Sequence, residues 1–192
     1  MSIQVLKISP SYTIDKLRNP SFDDLVDIFE DRTRGWLIDT ARALNQMEHA
    51  GFAVLQVLLA YFEGHAIYYF GEDSESKSQE FFKSTFLQVF PEIVEYGNDR
   101  ADQIIDLMYS DARCGLYHTG MPRRGLLLND GFPTIRVLPV EGVNVDAVVV
   151  DRHTFVDRVE AHMEAYVARL RDSSETDLRA NFKTAWDLAH KD

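Results

Sequence analysis

The sequence predicts a mainly α fold: a helical bundle with a small antiparallel β-hairpin or sheet inserted near residues 124–150. Three observations carry this. Apolar residues recur at three- and four-residue spacing along most of the chain, as the buried stripe of a helix requires. The segment 52–70, FAVLQVLLAYFEGHAIYYF, is apolar nearly all round, the composition of a central helix buried on its sides. After Gly120 the pattern breaks into short leucine-rich or β-branched runs separated by turn residues, which reads as strands. At 192 residues the chain can bury one full core, so a single domain is expected. Residues 1–19 form its N-terminal arm and 152–190 its C-terminal helices.

Within the arm, IQVLKI at 3–8 reads as a short strand or an extended segment. Ser21 opens the first helix as its N-cap, with Asp24 three residues on to complete a capping box. Phe22, Leu25, Val26 and Phe29 begin its stripe, and Trp36, Leu37, Ala41, Leu44 and Met47 continue it; Gly35 and Gly51 are places to kink. The apolar helix 52–70 ends at Gly71. Ser76 or Ser78 is expected to cap the next helix, which buries Phe81, Phe82, Phe86 and Val89 and stops at Pro91. A helix from about Asp99 to His118 follows, with Ala101, Ile104, Ile105, Met108 and Ala112 facing inward. The runs 125–129, 134–140 and 145–150 are the strands, with Asp130-Gly131 and Glu141-Gly142 as turns. Phe155, Val159, Met163, Tyr166, Val167 and Leu170 mark the first C-terminal helix. Ser174 and Asp177 are expected to cap the last, which buries Leu178, Phe182, Ala185 and Trp186.

Composition narrows the function. Apolar residues make up 45% of the chain, with 12 Phe and 8 Tyr, which excludes an intrinsically disordered protein. The net charge of -11 argues against broad nucleic-acid binding, which draws its affinity from neutralised phosphates. A basic cluster focused in one cleft remains compatible with RNA. Cys114 is the only cysteine, so no intrachain disulfide forms and no cysteine-based zinc site is spelled out; this fits a reducing compartment. The N-terminus has no basic stretch followed by an apolar core of a signal peptide. The run Phe52–Phe62, of about eleven residues, is short of the roughly 20 that span a bilayer. A cytoplasmic protein without membrane attachment is therefore expected.

The stretch RCGLYHTGM, Arg113 to Met121, carries the chemistry. Arginine grips phosphate in a planar fork, and histidine moves protons near neutral pH. Five residues apart on a regular helix they are separated by about 140°, at roughly 100° per residue. To meet on one phosphate, the helix end must unwind, the arginine must reach, or a second subunit must complete the site. The spacing Arg-x4-His late in a helical domain resembles the HEPN superfamily, as does the layout around it across residues 20–170. The resemblance implies a helical bundle that dimerises and brings two motifs to one cleft, with many members acting as metal-independent endoribonucleases. It further implies that Arg113 orients the scissile phosphate and that His118 is the general acid or base. Catalytic members commonly carry a polar residue directly after the arginine, where this chain has Cys114. That departure motivates the alternative of a non-catalytic module binding RNA, a nucleotide or a protein partner such as an antitoxin; a structural dimer is the remaining one.

Other residues join the candidate site. Glu63 is the one acid in the apolar helix, needs a partner, and finds an attractive one in Arg113. Tyr117 lies within the motif, and Cys114 beside His118 offers a thiol. Arg123 and Arg124 form the most basic local cluster, with Arg136 and Arg152 nearby, and suit a phosphate-contacting rim. Tyr68, Tyr69 and Phe70 are read as core rather than as a base-stacking surface. His49, His65, His153 and His162 sit near acids without metal-ligand spacing, so neither metal nor cofactor is expected.

Overall fold

The computed structural model describes residues 6–131 and 133–190. The expected strand at 3–8 therefore falls partly outside the described residues. Lys7 pairs with Thr13 in a single antiparallel bridge, and one 3-10 turn, Ile14–Leu17, follows. The arm is held on the first helix: Asp31 accepts from Ser11 N and Oγ at 2.7 and 2.9 Å, and Arg32 Nε donates to Ile8 O at 2.6 Å. A Cβ on Gly35 would come within 2.5 Å of Pro10 Cγ, so glycine there lets the arm approach.

The first long helix runs through α1 (Phe22–Arg32), a π-helical segment (Thr33–Ile38) and α2 (Asp39–Asn45). Its start is the expected capping box: Asp24 N donates to Ser21 Oγ, and Ser21 N to Asp24 Oδ2. Gly35 falls inside the π segment. Gly51 is no kink; it begins α3 (Gly51–Phe70), where an added Cβ would stand 2.5 Å from Leu128 Cδ1.

Helix α3 is the centre of the bundle and packs against α2, α4 (Ser78–Val89), α7 (Arg152–Arg171) and α8 (Thr176–Ala189). It is long and apolar enough to cross a membrane by length and composition alone; half of it is buried within the fold. The expectation of burial on every side is corrected: Ala53, Gln56 and Ala60 lie exposed along one stripe. Gly71 ends the helix in the left-handed region at φ 73°, packed on the Asn181 backbone. Phe62 meets Phe82, Phe86, Phe90 and Phe155 with ring centroids 5.2–6.2 Å apart, an aromatic centre shared by α3, α4 and α7.

Two expected caps are absent. Ser78 is already helical and its Oγ bonds back to Ser74 O, while Ser76 adopts φ 64°; neither caps α4. Helix α8 begins after Glu175 without a side-chain cap, and Ser174 N instead donates to Asp172 Oδ1. Asp151 caps α7, accepting from His153 N and Thr154 N, and also ties down Gly131 N at 2.6 Å.

The sheet is mixed rather than antiparallel. β1 (Leu126–Leu128), β2 (Ile135–Leu138) and β3 (Ala147–Val150) stand in the order β1-β3-β2. β3 pairs antiparallel with β2 and parallel with β1. All four β3 residues are buried, so the strand buried throughout takes the centre and the other two become edges. With β2 reversed relative to β1 on the far edge, β3 necessarily returns parallel to β1.

Candidate functional site

The motif lies on another composite helix, built from α5 (Asn98–Asp106), a π-helical segment (Leu107–Cys114) and α6 (Gly115–Thr119). Ile104, Met108, Ala112 and Leu116 are all buried. That four-residue repeat overshoots the α-helical turn by about 40° per step, at roughly 100° per residue. The wider π turn absorbs the drift and keeps one stripe inward. Gly120, at φ 70°, ends the helix.

Arg113 points from the end of the π segment to α3. Its Nη2 donates to Glu63 Oε2 at 2.7 Å, the pairing anticipated from Glu63's apolar surroundings. Glu63 Oε1 accepts from Ser74 Oγ at 2.8 Å. Rings one turn either side flank the guanidinium, Tyr109 at 5.7 Å and Tyr117 at 5.5 Å. Burial works against the Arg113 charge, but the Glu63 carboxylate, with smaller contributions from Cys114 and Tyr109, outweighs it and raises the pKa. Burial also raises the Tyr109 phenol. The pair forms part of a cavity of about 210 Å3, whose other walls include Leu59, Ala60, Gly64, Ile67 and Tyr117. The side chains of Arg113 and Glu63 keep 26% and 16% exposure, so a small anion can reach the guanidinium.

His118 is not in that cavity. It is exposed on α6, its ring edge-on to Tyr117 at 5.1 Å, and it makes no hydrogen bond among the described residues. The helix stays wound from Gly115 to Thr119, and Arg113 is already engaged by Glu63. In the resting chain Arg113 and His118 therefore do not share a partner, and the route through an unwound helix end is closed. Cys114 is half-buried and unpaired by disulfide.

The turn after the motif folds back on the helix. Arg123 N donates to Asp111 O at 3.0 Å, and Asp111 Oδ2 accepts from Gly125 N. Thr119 Oγ1 lies within hydrogen-bonding distance of Gly115 O and Met121 O. The approach is close enough that a Cβ on Gly115 would sit 3.0 Å from Met121 O. Arg123 and Arg124 are exposed and form no ion pair among the described residues, so two free cations stand beside the helix that bears His118. Arg152 is instead spent on Asp130 at 3.6 Å, and Arg136 lies in β2.

No family model, curated protein or solved structure matches this chain.

A second cluster gathers His65 and His162, which in the sequence show no metal-ligand spacing. In the fold their rings lie 4.6 Å apart, Tyr61 Oη is 2.8 Å from His162 Nδ1, and Tyr166 stacks edge-on to His65 at 4.5 Å. The available signal was the i,i+4 spacing of Tyr61, His65 and Tyr69 on α3 and of His162 and Tyr166 on α7. Tyr68 is partly buried, packed against the core on Phe29 and Phe182, whereas Phe70 is 38% exposed.

Proposed function

We propose that this protein is a HEPN-like, metal-independent endoribonuclease whose site is completed when two copies associate. The observation that supports this reading best is the division of the motif. Arg113 stands partly exposed in a cavity wall, while His118, five residues on, is exposed without a partner. A second copy, placed so that its own motif faces this one, supplies the missing half of each pair. Association through a closed two-fold arrangement makes both sites equivalent.

In that arrangement the roles follow from the groups. Arg113, freed from Glu63 by the incoming phosphate, binds its non-bridging oxygens in a fork. His118 removes the proton of the ribose 2′-OH as that oxygen attacks phosphorus. The P–O5′ bond breaks, a 2′,3′-cyclic phosphate forms, the leaving 5′ oxygen takes a proton from water, and His118 gives up the 2′-OH proton to solvent. Arg123 and Arg124 hold the flanking backbone in an otherwise acidic protein. The test is incubation with RNA in the presence of a chelator. Cleavage leaving cyclic phosphate ends, lost in both Arg113→Ala and His118→Ala, is the expected result; undiminished cleavage in either variant refutes it.

One observation favours a second reading, a binding module without turnover. Glu63 already neutralises Arg113, and Cys114 takes the place next to it. Saturable RNA, nucleotide or protein binding by the wild-type chain, with no cleavage of any RNA tried, selects this reading over the first.

A further inference from the structure

Glu63 has two hydrogen-bond partners among the described residues, Ser74 Oγ on Oε1 and Arg113 Nη2 on Oε2. It is the only acid in α3 and stands in an apolar wall, with Leu59, Ile67 and Leu116 around the same cavity. When a phosphate draws Arg113 away, as the proposed reaction requires, Oε2 loses its one donor. A carboxylate left without a donor in such surroundings is costly unless an incoming group replaces the bond. A substrate that takes the arginine is therefore favoured if it brings N–H groups of its own.

The same displacement frees a ring. Tyr117 stands 5.5 Å from the Arg113 guanidinium, edge-on to His118 at 5.1 Å, and is 71% exposed. An exposed aromatic face beside a phosphate-binding group is a platform on which a base stacks. Glu63, Arg113 and Tyr117 all line the cavity, and the side chains of the pair keep 16% and 26% exposure. At about 210 Å3 the cavity exceeds the roughly 150 Å3 that holds benzene, so a base enters while its ribose stays outside. Of the RNA bases, guanine alone carries two adjacent N–H donors, at N1 and the 2-amino group. These match a carboxylate, which only accepts and whose oxygens each accept more than one bond. Adenine and cytosine place a ring nitrogen acceptor beside their amino group, and uracil sets its one N–H between two carbonyls. Each turns an acceptor toward Glu63.

We infer that the cavity beside Arg113 is a guanine pocket: the base adjoining the phosphate that Arg113 holds stacks on Tyr117 and donates N1–H and its amino group to Glu63. The pocket rests on the proposed role of Arg113 as the phosphate-binding group. It requires no cleavage.

The probes are the 3′-monophosphates of guanosine, inosine and uridine, with inorganic phosphate beside them. Inosine lacks only the 2-amino group of guanosine. Each is titrated calorimetrically into the full chain in chelator. The guanosine nucleotide is expected to bind about tenfold more tightly than the inosine one, the worth of one buried hydrogen bond, and the uridine one more weakly still. Glu63→Gln turns one acceptor into a donor. It is expected to bind the guanosine and inosine nucleotides alike while holding inorganic phosphate more tightly than the wild type. Tyr117→Ala, at an exposed position, keeps the test open if that variant does not fold; it is expected to lose about tenfold for every nucleotide and nothing for inorganic phosphate. Equal affinity for the three nucleotides, a guanosine preference that survives Glu63→Gln, or undiminished nucleotide binding in Tyr117→Ala overturns the pocket and leaves Arg113 as a phosphate-binding group. Failure of every probe, inorganic phosphate included, overturns both. A guanosine preference of the expected size with no RNA cleavage in chelator supports the pocket and refutes the ribonuclease reading alone.

Discussion

Glu63→Gln separates the two things that Glu63 does for Arg113. At 2.7 Å the gross attraction is roughly 6 kcal/mol at an effective dielectric of about 20. Both side chains retain some exposure, 16% and 26%, so recovered hydration cancels most of it. A charged hydrogen bond of this kind nets about 1.5–3 kcal/mol, and Gln retains an acceptor. The variant should therefore lose about 1–2 kcal/mol of stability, a fall of a few degrees in Tm for a chain this size. The same loss releases Arg113. Phosphate no longer competes with a carboxylate, and its affinity should rise by about tenfold, which is about 1.4 kcal/mol. Urea denaturation gives the first quantity, and titration with inorganic phosphate or a short RNA at low salt gives the second. An ion pair with a purely structural role predicts the stability loss with phosphate binding unchanged. That outcome, or weaker binding in Glu63→Gln, refutes the assignment of Arg113 as a phosphate-binding group.

RNA binding should weaken steeply with salt, and Arg123→Ala and Arg124→Ala should each flatten the log–log salt dependence by about 0.7, as for one phosphate contact on a single strand; an unchanged slope removes both from the rim. Burial pushes His162 down to about 4, so between pH 6.5 and 4 the unfolded chain binds the proton more readily than the folded one. Stability should fall as pH drops through that window, by up to about 3 kcal/mol at 1.36 kcal/mol per unit. Denaturation curves for the wild type and His162→Gln check this, and parallel pH profiles contradict it. Gly115→Ala forces a Cβ to 3.0 Å from Met121 O, a backbone atom that yields only by moving the turn; about 1–2 kcal/mol of stability should be lost. RNA binding should fall with it, because Arg123 shifts.

The helices were legible because their stripes are long and their burial demanding, from Leu25 and Phe29 in α1 to Phe182 and Trp186 in α8. The caps were less so. Ser21 and Asp24 form the expected box, but Ser78 and Ser174 do not cap, because a serine near a helix start competes with other local bonds, here to Ser74 O and to Asp172. The π segment of the motif helix was written in the sequence as a four-residue repeat, 104-108-112-116, a drift that the three- and four-residue template does not distinguish from an ordinary helix; the π segment at 33–38, whose buried residue is Ile38, carries no such repeat. The parallel pairing of β1 was hidden because short strands declare their partners by burial, and only β3 is buried throughout. At the site, Glu63 and Arg113 found each other as electrostatics in an apolar helix requires. The position of His118 was predictable only as a constraint, that a wound helix holds it away from Arg113.

That constraint makes one measurement decisive for the proposed site. Arg113→Ala and His118→Ala, each inactive alone, are mixed, allowed to exchange subunits and given RNA in chelator. If each site joins Arg113 of one copy to His118 of its partner, half of the pairs are mixed and each carries one intact site. Activity should then return to about a quarter of the wild-type value. No recovery above the separate variants, with subunit exchange verified, contradicts a site built from two copies.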